Sequence, residues 1–327
     1  MNTSTQREFN RISLLVNPVA GSGQGRNMIA PVSERLIEIF PDAEVTLIET
    51  QGASHASWAA ATLDTDLLLV VSGDGTVHDV AQGIMKRPRT ERPVLAHIPI
   101  GSGNDFARTL GLPADPRAAL ETFATAVCLP IDVGRCSVKD DTTQIYFLET
   151  LSFGVDAAVA INTVELRKTT RMRGTGLYAR AALSAIIHEL RPFHATYMAD
   201  ELRVESELLI CAVQNGPTYG SGFLVAPSAR ITDGKLNVCV ARRMNKLQAL
   251  YCLTRIKAGT HEGLAHFSTY VVRRFEIRLN HQLPIQCDGE RMQGTHILIE
   301  AMPDALDVLV PRDASVLTGL AGDHLHA

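Results

Sequence analysis

One local arrangement, met three times in the first third of the chain, limits what this sequence can become. A short apolar run ends in a glycine-rich loop, and a helical pattern follows. Ile12–Val16 leads into Asn17-Pro18-Val19-Ala20-Gly21-Ser22-Gly23-Gln24-Gly25, Leu67–Val71 into Ser72-Gly73-Asp74-Gly75-Thr76, and Val94–Pro99 into Gly101-Ser102-Gly103-Asn104-Asp105. Between them, Met28, Ile29, Val32, Leu36 and Phe40 recur at helical spacing. A strand is expected at Glu44–Glu49, an Ala-rich helix from about Ala53 to Leu63, and a helix near Val77–Lys86. Such βαβα alternation predicts a parallel sheet with helices on both faces, whose ligands bind at the carboxyl ends of the strands.

The pattern changes near Asp132. Longer strand candidates follow at Gln144–Ser152, Leu202–Val213, Leu236–Arg242, Tyr270–Leu279 and Thr295–Glu300, interrupted by helical stretches around Ala157–Lys168 and Gly176–Leu190. Strands that succeed one another without intervening helices indicate an antiparallel, β-rich, sandwich-like domain. The chain therefore reads as α/β, with a nucleotide-binding domain over 1–137, a β-rich substrate domain over 138–310, and a tail over 311–327 expected to pack back on the first domain. Its 327 residues suit two domains. No internal repeat or low-complexity linker interrupts it.

Composition removes several function classes. The chain has 31 Lys and Arg against 35 Asp and Glu, for a formal charge of −4. That balance supplies no general attraction to polyphosphate. One Trp and 5% aromatic residues leave few stacking platforms, so nucleic acid is not an expected partner. Six cysteines without a CxxC pair read as reduced thiols and a cytosolic protein. Met1 to Arg11 is polar and lacks the apolar core of a signal peptide, and no apolar run reaches the length of a spanning helix.

Each glycine loop taken alone reads as a tight βα turn. Three on one sheet edge make a phosphate-binding rim, because glycine lets a ligand approach the amide groups and the next helix offers its positive end. None fits GxxxxGK[ST] or GxGxxG, which disfavours a P-loop NTPase or a standard dinucleotide enzyme. Asp74 is a carboxylate in such a loop, suited to Mg²⁺ beside a triphosphate or to capping the helix that follows. Asp288-Gly289-Glu290 puts two carboxylates on a turn, as a solvated hairpin or as the proton acceptor for phosphoryl transfer to an alcohol. Asp233 heads a turn before a strand. His261-Glu262 and His266 miss the HExxH spacing, and no GxSxG elbow occurs.

Together these motifs carry a resemblance. Gly73-Asp74-Gly75-Thr76, with Asn17-Pro18 and Gly103-Asn104-Asp105-Phe106-Ala107-Arg108, is similar to the diacylglycerol kinase family, lipid kinases that also include sphingosine and ceramide kinases. The likeness continues in order through Phe153-Gly154-Val155-Asp156-Ala157, Asn215-Gly216, Tyr219-Gly220-Ser221-Gly222, Ala226-Pro227, Asp233-Gly234 and Asp288-Gly289-Glu290. Ser72 stands where the family has Gly, and Ser102 where it usually has Thr. The resemblance implies a nucleotide between the domains, cradled by Asn17, Pro18, Val19, Ala20, Gly21, Thr50, Ser72, Gly73, Asp74, Gly75, Thr76, Val77, His78, Ser102 and Asn104. It implies Asp288 as base with Glu290 orienting it, although the residues themselves leave the reverse assignment open. It implies a structural Mg²⁺ on Asp233 with carbonyls near Arg230 and Lys235, linked through water to Asp74.

The expected activity is transfer of the γ-phosphate of ATP, with Mg²⁺, to the hydroxyl of a membrane lipid such as diacylglycerol. A kinase of a soluble acceptor, as in the NAD kinases, is the alternative, and a nucleotide-binding regulator with little turnover is a third. The implied partner is a membrane lipid met by peripheral contact from the cytoplasm at the inner membrane surface. Arg167, Lys168, Arg171 and Arg173 are candidates for its headgroups. A homodimer is the compatible assembly.

Overall fold

The computed structural model describes residues 8–139, 141, 143–170 and 174–318. The chain divides into two units, Met1–Ile131 with Asp304–Ala327, and Asp132–Pro303.

The first unit begins β1 (Arg11–Val16), α1 (Ala20–Ile39), β2 (Glu44–Glu49), α2 (Ala53–Thr62), β3 (Leu67–Ser72), α3 (Asp74–Met85) and β4 (Val94–Pro99). The short helices α4 (Asp105–Thr109) and α5 (Pro116–Thr122) follow. The strands are parallel in the order β2-β1-β3-β4. β3 and β4 are buried at every position, as strands covered on both faces must be, whereas edge strand β2 has no buried residue. Helix α1 buries Met28, Val32 and Leu36, the expected apolar stripe. Helix α3 starts three residues earlier than predicted, so Asp74 lies in its first turn, where a negative charge meets the positive helix end.

The second unit is antiparallel and β-rich. It contains most of β5 (Val127–Val138), then β6 (Gln144–Phe147), β7 (Thr150–Gly154), α6 (Val155–Thr169), α7 (Gly174–His188), β8 (Phe193–Ala199) and β9 (Leu202–Gln214). After these come β10 (Thr218–Tyr219), β11 (Phe223–Leu224), β12 (Leu236–Arg242), α8 (Lys246–Lys257), β13 (Phe267–Val272), β14 (Arg274–Leu279), β15 (Ile285–Cys287), β16 (Glu290–Met292) and β17 (His296–Val310); α9 (Ser315–Thr318) closes the described chain in the first unit. The long β9 pairs with β8 over Leu202–Leu208 and, over Ile210–Gln214, with both β7 and β12. Phe147, Phe153, Tyr197, Phe275 and Ile297 fill the core against this sheet.

Two predicted strands are each broken in two. Tyr270–Leu279 splits because β13 pairs with β12 while β14 pairs with β8, and the Asp200 carboxylate accepts from the amides of Arg273 and Arg274 at the break. Gln144–Ser152 splits at Leu148-Glu149, for a reason that belongs to the candidate site. The boundary is expected at 137, and the compact second unit starts at Asp132, whose amide donates to Ile231 O (2.7 Å) and whose carboxylate accepts from Gly234 N (2.6 Å). Residues 304–310, expected in the second domain, group with the first. Val308 pairs in parallel with Leu95 of β4, and Arg89 grips Asp304 O and the Asp307 carboxylate. Residues 311–318 stay with that unit, and 319–327 lie outside the described residues.

Among the described residues no helix is long and apolar enough to cross a membrane. All six cysteines are free.

Candidate active site

The three glycine loops of the first unit meet. Asn17, at the end of β1, donates from Nδ2 to Thr76 Oγ1 (2.8 Å), and its amide donates to Val71 O (3.1 Å), which ties the first loop to the second. Gly21 (φ 59°) turns the first loop so close to the third that a Cβ there would stand 2.5 Å from Ile100 O. The second and third loops touch through backbone, since a Cβ on Gly73 would lie 3.0 Å from the Cα of Gly101. One Asp74 oxygen accepts from the Asn104 amide at 2.7 Å, and left-handed Asn104 (φ 53°) donates from Nδ2 to Gly101 O at 3.0 Å. Ser72, Val77 and His78 are buried, as is Thr50, whose amide donates to Val16 O (2.9 Å) beside the first loop. Pro18, Ala20 and Ser102 are partly buried, while Val19 and Gly75 are exposed at the rim. A Cβ on Gly75 would meet nothing within 4 Å, so there is room beside the main chain at the start of α3.

His97, absent from the sequence reading, supports this rim from beneath. It is fully buried on β4, and burial pushes its pKa down to about 4. The neutral ring lies with Nε2 3.1 Å from Ser72 O, and since a carbonyl only accepts, Nε2 carries the hydrogen. Asp105 is the other acid near Asp74 in these loops, and Arg108 occupies it at 2.5 Å.

In the second unit, Asp288 and Gly289 form the two-residue turn between β15 and β16, both at positive φ (48° and 94°), the conformation an Asp-Gly hairpin favours. This is no solvated turn. Asp288 Oδ2 accepts from Leu148 N (2.7 Å), and Oδ1 accepts from Glu149 N (3.1 Å) and Thr150 N (2.9 Å). Those three amides are the break between β6 and β7; the chain leaves the strand ladder there to hold the carboxylate. Asn215 braces the same segment by donating to Leu148 O (2.8 Å) and Asp132 O (3.0 Å). Glu290, two residues on, is exposed.

Asp233 Oδ1 accepts from Lys235 N (3.0 Å), closing an Asx turn. Burial raises its pKa, and the nearby cationic Lys235 and Arg230 oppose that shift. Among the described residues no three His, Cys, Asp or Glu side chains converge as metal ligands. His261 is a buried strut whose Nε2 lies 3.1 Å from Val225 O. Of the basic run, Arg171 and Arg173 lie outside the described residues, as do the side chains of Arg167 and Lys168.

The second unit also holds an apolar cavity of about 80 Å³, walled by α6, α7, α8 and the strands β9 and β12. Val159, Ala182, Ile186, Leu209, Leu253 and Phe267 are among its lining residues. Asp156 lies in its wall, with Oδ2 buried and lacking a hydrogen-bond partner. Burial raises the Asp156 pKa to about 7, against a smaller opposing effect of a hydrogen bond with Ser152. In the sequence Asp156 stands out only as a member of the stretch Phe153-Gly154-Val155-Asp156-Ala157. The available signal was an acid between the wholly buried β7 and an apolar helix start.

Comparison with known proteins finds two family models that match the chain. Residues 11–136 match the diacylglycerol kinase catalytic domain, and residues 149–310 match the YegS C-terminal NAD kinase beta sandwich-like domain. A diacylglycerol kinase of Mycobacterium tuberculosis (strain CDC 1551 / Oshkosh) is 29% identical over 316 residues, spanning 94% of this chain and 97% of that protein. A protein of Serratia proteamaculans (strain 568) named "Probable lipid kinase YegS-like" is 25% identical over 305 residues, spanning 93% and 95% of the two. The crystal structure of a diacylglycerol kinase from Bacillus anthracis str. Sterne shares the fold with a TM-score of 0.72 at 20% identity, covering 94% of this chain and 100% of that one.

Proposed function

Because the chain belongs to the diacylglycerol kinase family, we propose that it transfers the γ-phosphate of ATP to the hydroxyl of a membrane lipid such as diacylglycerol, working at the inner membrane surface. Family members named as kinases are phosphotransferases, and so is this chain. The observation that carries the nucleotide part is the joined rim of three loops, with open space at Gly75 and the positive end of α3 behind it. The main-chain amides from Gly73 to Thr76 bind phosphate oxygens there, and Asn17 keeps Thr76 in place.

Asp74 is the residue that would hold Mg²⁺, since the Asn104 amide fixes its carboxylate at the rim. Bound Mg²⁺ supplies neutralisation of charge on the phosphates. Asp233 fits the ion less well, because its carboxylate already closes a turn and faces the cations Lys235 and Arg230.

In the transfer, the lipid oxygen forms a bond to the γ-phosphorus, the bond from that phosphorus to the bridging oxygen breaks, and ADP leaves. The hydroxyl proton needs an acceptor. We assign this role to Glu290 and the positioning of the turn to Asp288, the reverse of the assignment implied by resemblance. Both Asp288 oxygens accept main-chain hydrogen bonds, while Glu290 is exposed. The apolar pocket favours a lipid over a soluble acceptor.

The test is phosphate transfer from labelled ATP to diacylglycerol in mixed micelles. Glu290→Gln should lower kcat by ~10²–10⁴ with ATP affinity unchanged. A variant with wild-type kcat would remove Glu290 from the chemistry, and a wild-type chain that phosphorylated only water-soluble alcohols would replace the lipid reading with the soluble-acceptor one.

A further inference from the structure

Helices α7 and α8 expose apolar side chains on their outer faces. Leu183 and Ile187 on α7, and Leu247, Leu250 and Tyr251 on α8, recur at three- and four-residue spacing, with Leu247 80% and Tyr251 55% exposed. The two helices are joined, since Lys246 Nζ donates to Ile187 O at 2.6 Å. Their other faces line the apolar pocket, through Ala182 and Ile186 on α7 and Ala249, Cys252, Leu253 and Ile256 on α8.

The charge around this face has one sign. Helix α8 carries Lys246, Arg255 and Lys257 and no acid, and α7 carries Arg180 and no Asp or Glu, in a chain whose net charge is −4. The nearby acids are engaged: Glu189 accepts from Asn162 (2.8 Å), and Glu207 lies 3.7 Å from both His194 and Arg243. Apolar side chains within a basic surround suit the headgroup boundary of an anionic bilayer.

We propose that the outer face of α7 and α8 docks on anionic lipid bilayers, with Leu247, Leu250 and Tyr251 entering the acyl boundary. The proposal rests on the lipid-kinase reading for its purpose, and docking brings the helices that wall the pocket to the surface where the acceptor resides.

Its test uses the full chain, vesicles of phosphatidylglycerol and phosphatidylcholine, and the double variant Leu247→Gln/Tyr251→Gln, which keeps the charge and removes exposed apolar surface alone. Wild type should sediment with anionic vesicles at low salt and be released as salt rises. The variant should bind at least about tenfold more weakly, with its melting temperature and its turnover on a short-chain, monomeric diacylglycerol unchanged. Lys246→Glu/Lys257→Glu should flatten the salt dependence. Equal vesicle binding by wild type and the Gln variant overturns the proposal while leaving the kinase reading intact. A dimeric wild type that the Gln variant makes monomeric, with vesicle binding unaffected, assigns the face to a second copy instead. Absence of turnover on any diacylglycerol would count against the kinase reading and leave the vesicle result to stand alone.

Discussion

Asp156→Asn isolates the buried carboxyl in the pocket wall while keeping its shape. An unfolded Asp releases its proton near the ordinary value of 3.8, whereas in the folded chain burial holds the proton until about pH 7. Between these values the folded state binds more protons than the unfolded state, so stability falls as pH rises through the window and levels off above it. A difference of about three pH units is worth ~4 kcal/mol in full. Of this, ~2–3 kcal/mol falls between pH 5 and pH 8. For a unit of this size that corresponds to roughly 5–10 °C in melting temperature. The variant has no proton to lose, so thermal melts of both proteins at pH 5 and pH 8 should show the wild type losing that much more than the variant. Other titrating groups cancel in the double difference. The same pH dependence in both proteins would refute the claim that Asp156 is protonated by burial.

Three further outcomes follow from the rim of glycine loops. Asp74→Ala should leave the melting temperature within a few degrees and reduce turnover by at least about 10², read by labelled-ATP transfer; near-normal turnover would make Asp74 a helix cap only. Gly75→Ala should hold or raise stability, since alanine suits a helix, yet weaken ATP binding in calorimetry because its methyl occupies the open space. Gly21→Ala should cost ~1–3 kcal/mol in urea unfolding, because it combines positive φ with a collision on Ile100 O.

The parallel unit was legible because its signals are local. Buried β3 and β4 are continuous apolar runs, and the boundaries of β2 and β4 fall where the sequence pattern puts them. Partners distant in sequence decide the rest. The break at Leu148-Glu149 exists to grip a carboxylate about 140 residues away, and the split at Arg273 depends on Asp200. Asp132 starts the second compact unit through bonds to Ile231 and Gly234, which no local pattern announces. Helix α8 did have a readable start, the Asn245 and Gln248 capping box, but its outward apolar face blurred the amphipathic pattern. The loop motifs were legible as three glycine loops on one sheet edge, and they do meet in the first unit, whereas the hold on Asp288 needed the three amides that only the folded chain brings to it.

The most direct test of lipid phosphorylation is incubation of the full chain with γ-labelled ATP, Mg²⁺ and a total lipid extract in mixed micelles, followed by mass identification of any labelled product. Label is expected in a chloroform-soluble product whose mass exceeds that of a hydroxyl-bearing lipid by one phosphate, lost in Asp74→Ala and Glu290→Gln. Label confined to water-soluble products, or appearing equally with both variants, would contradict that expectation.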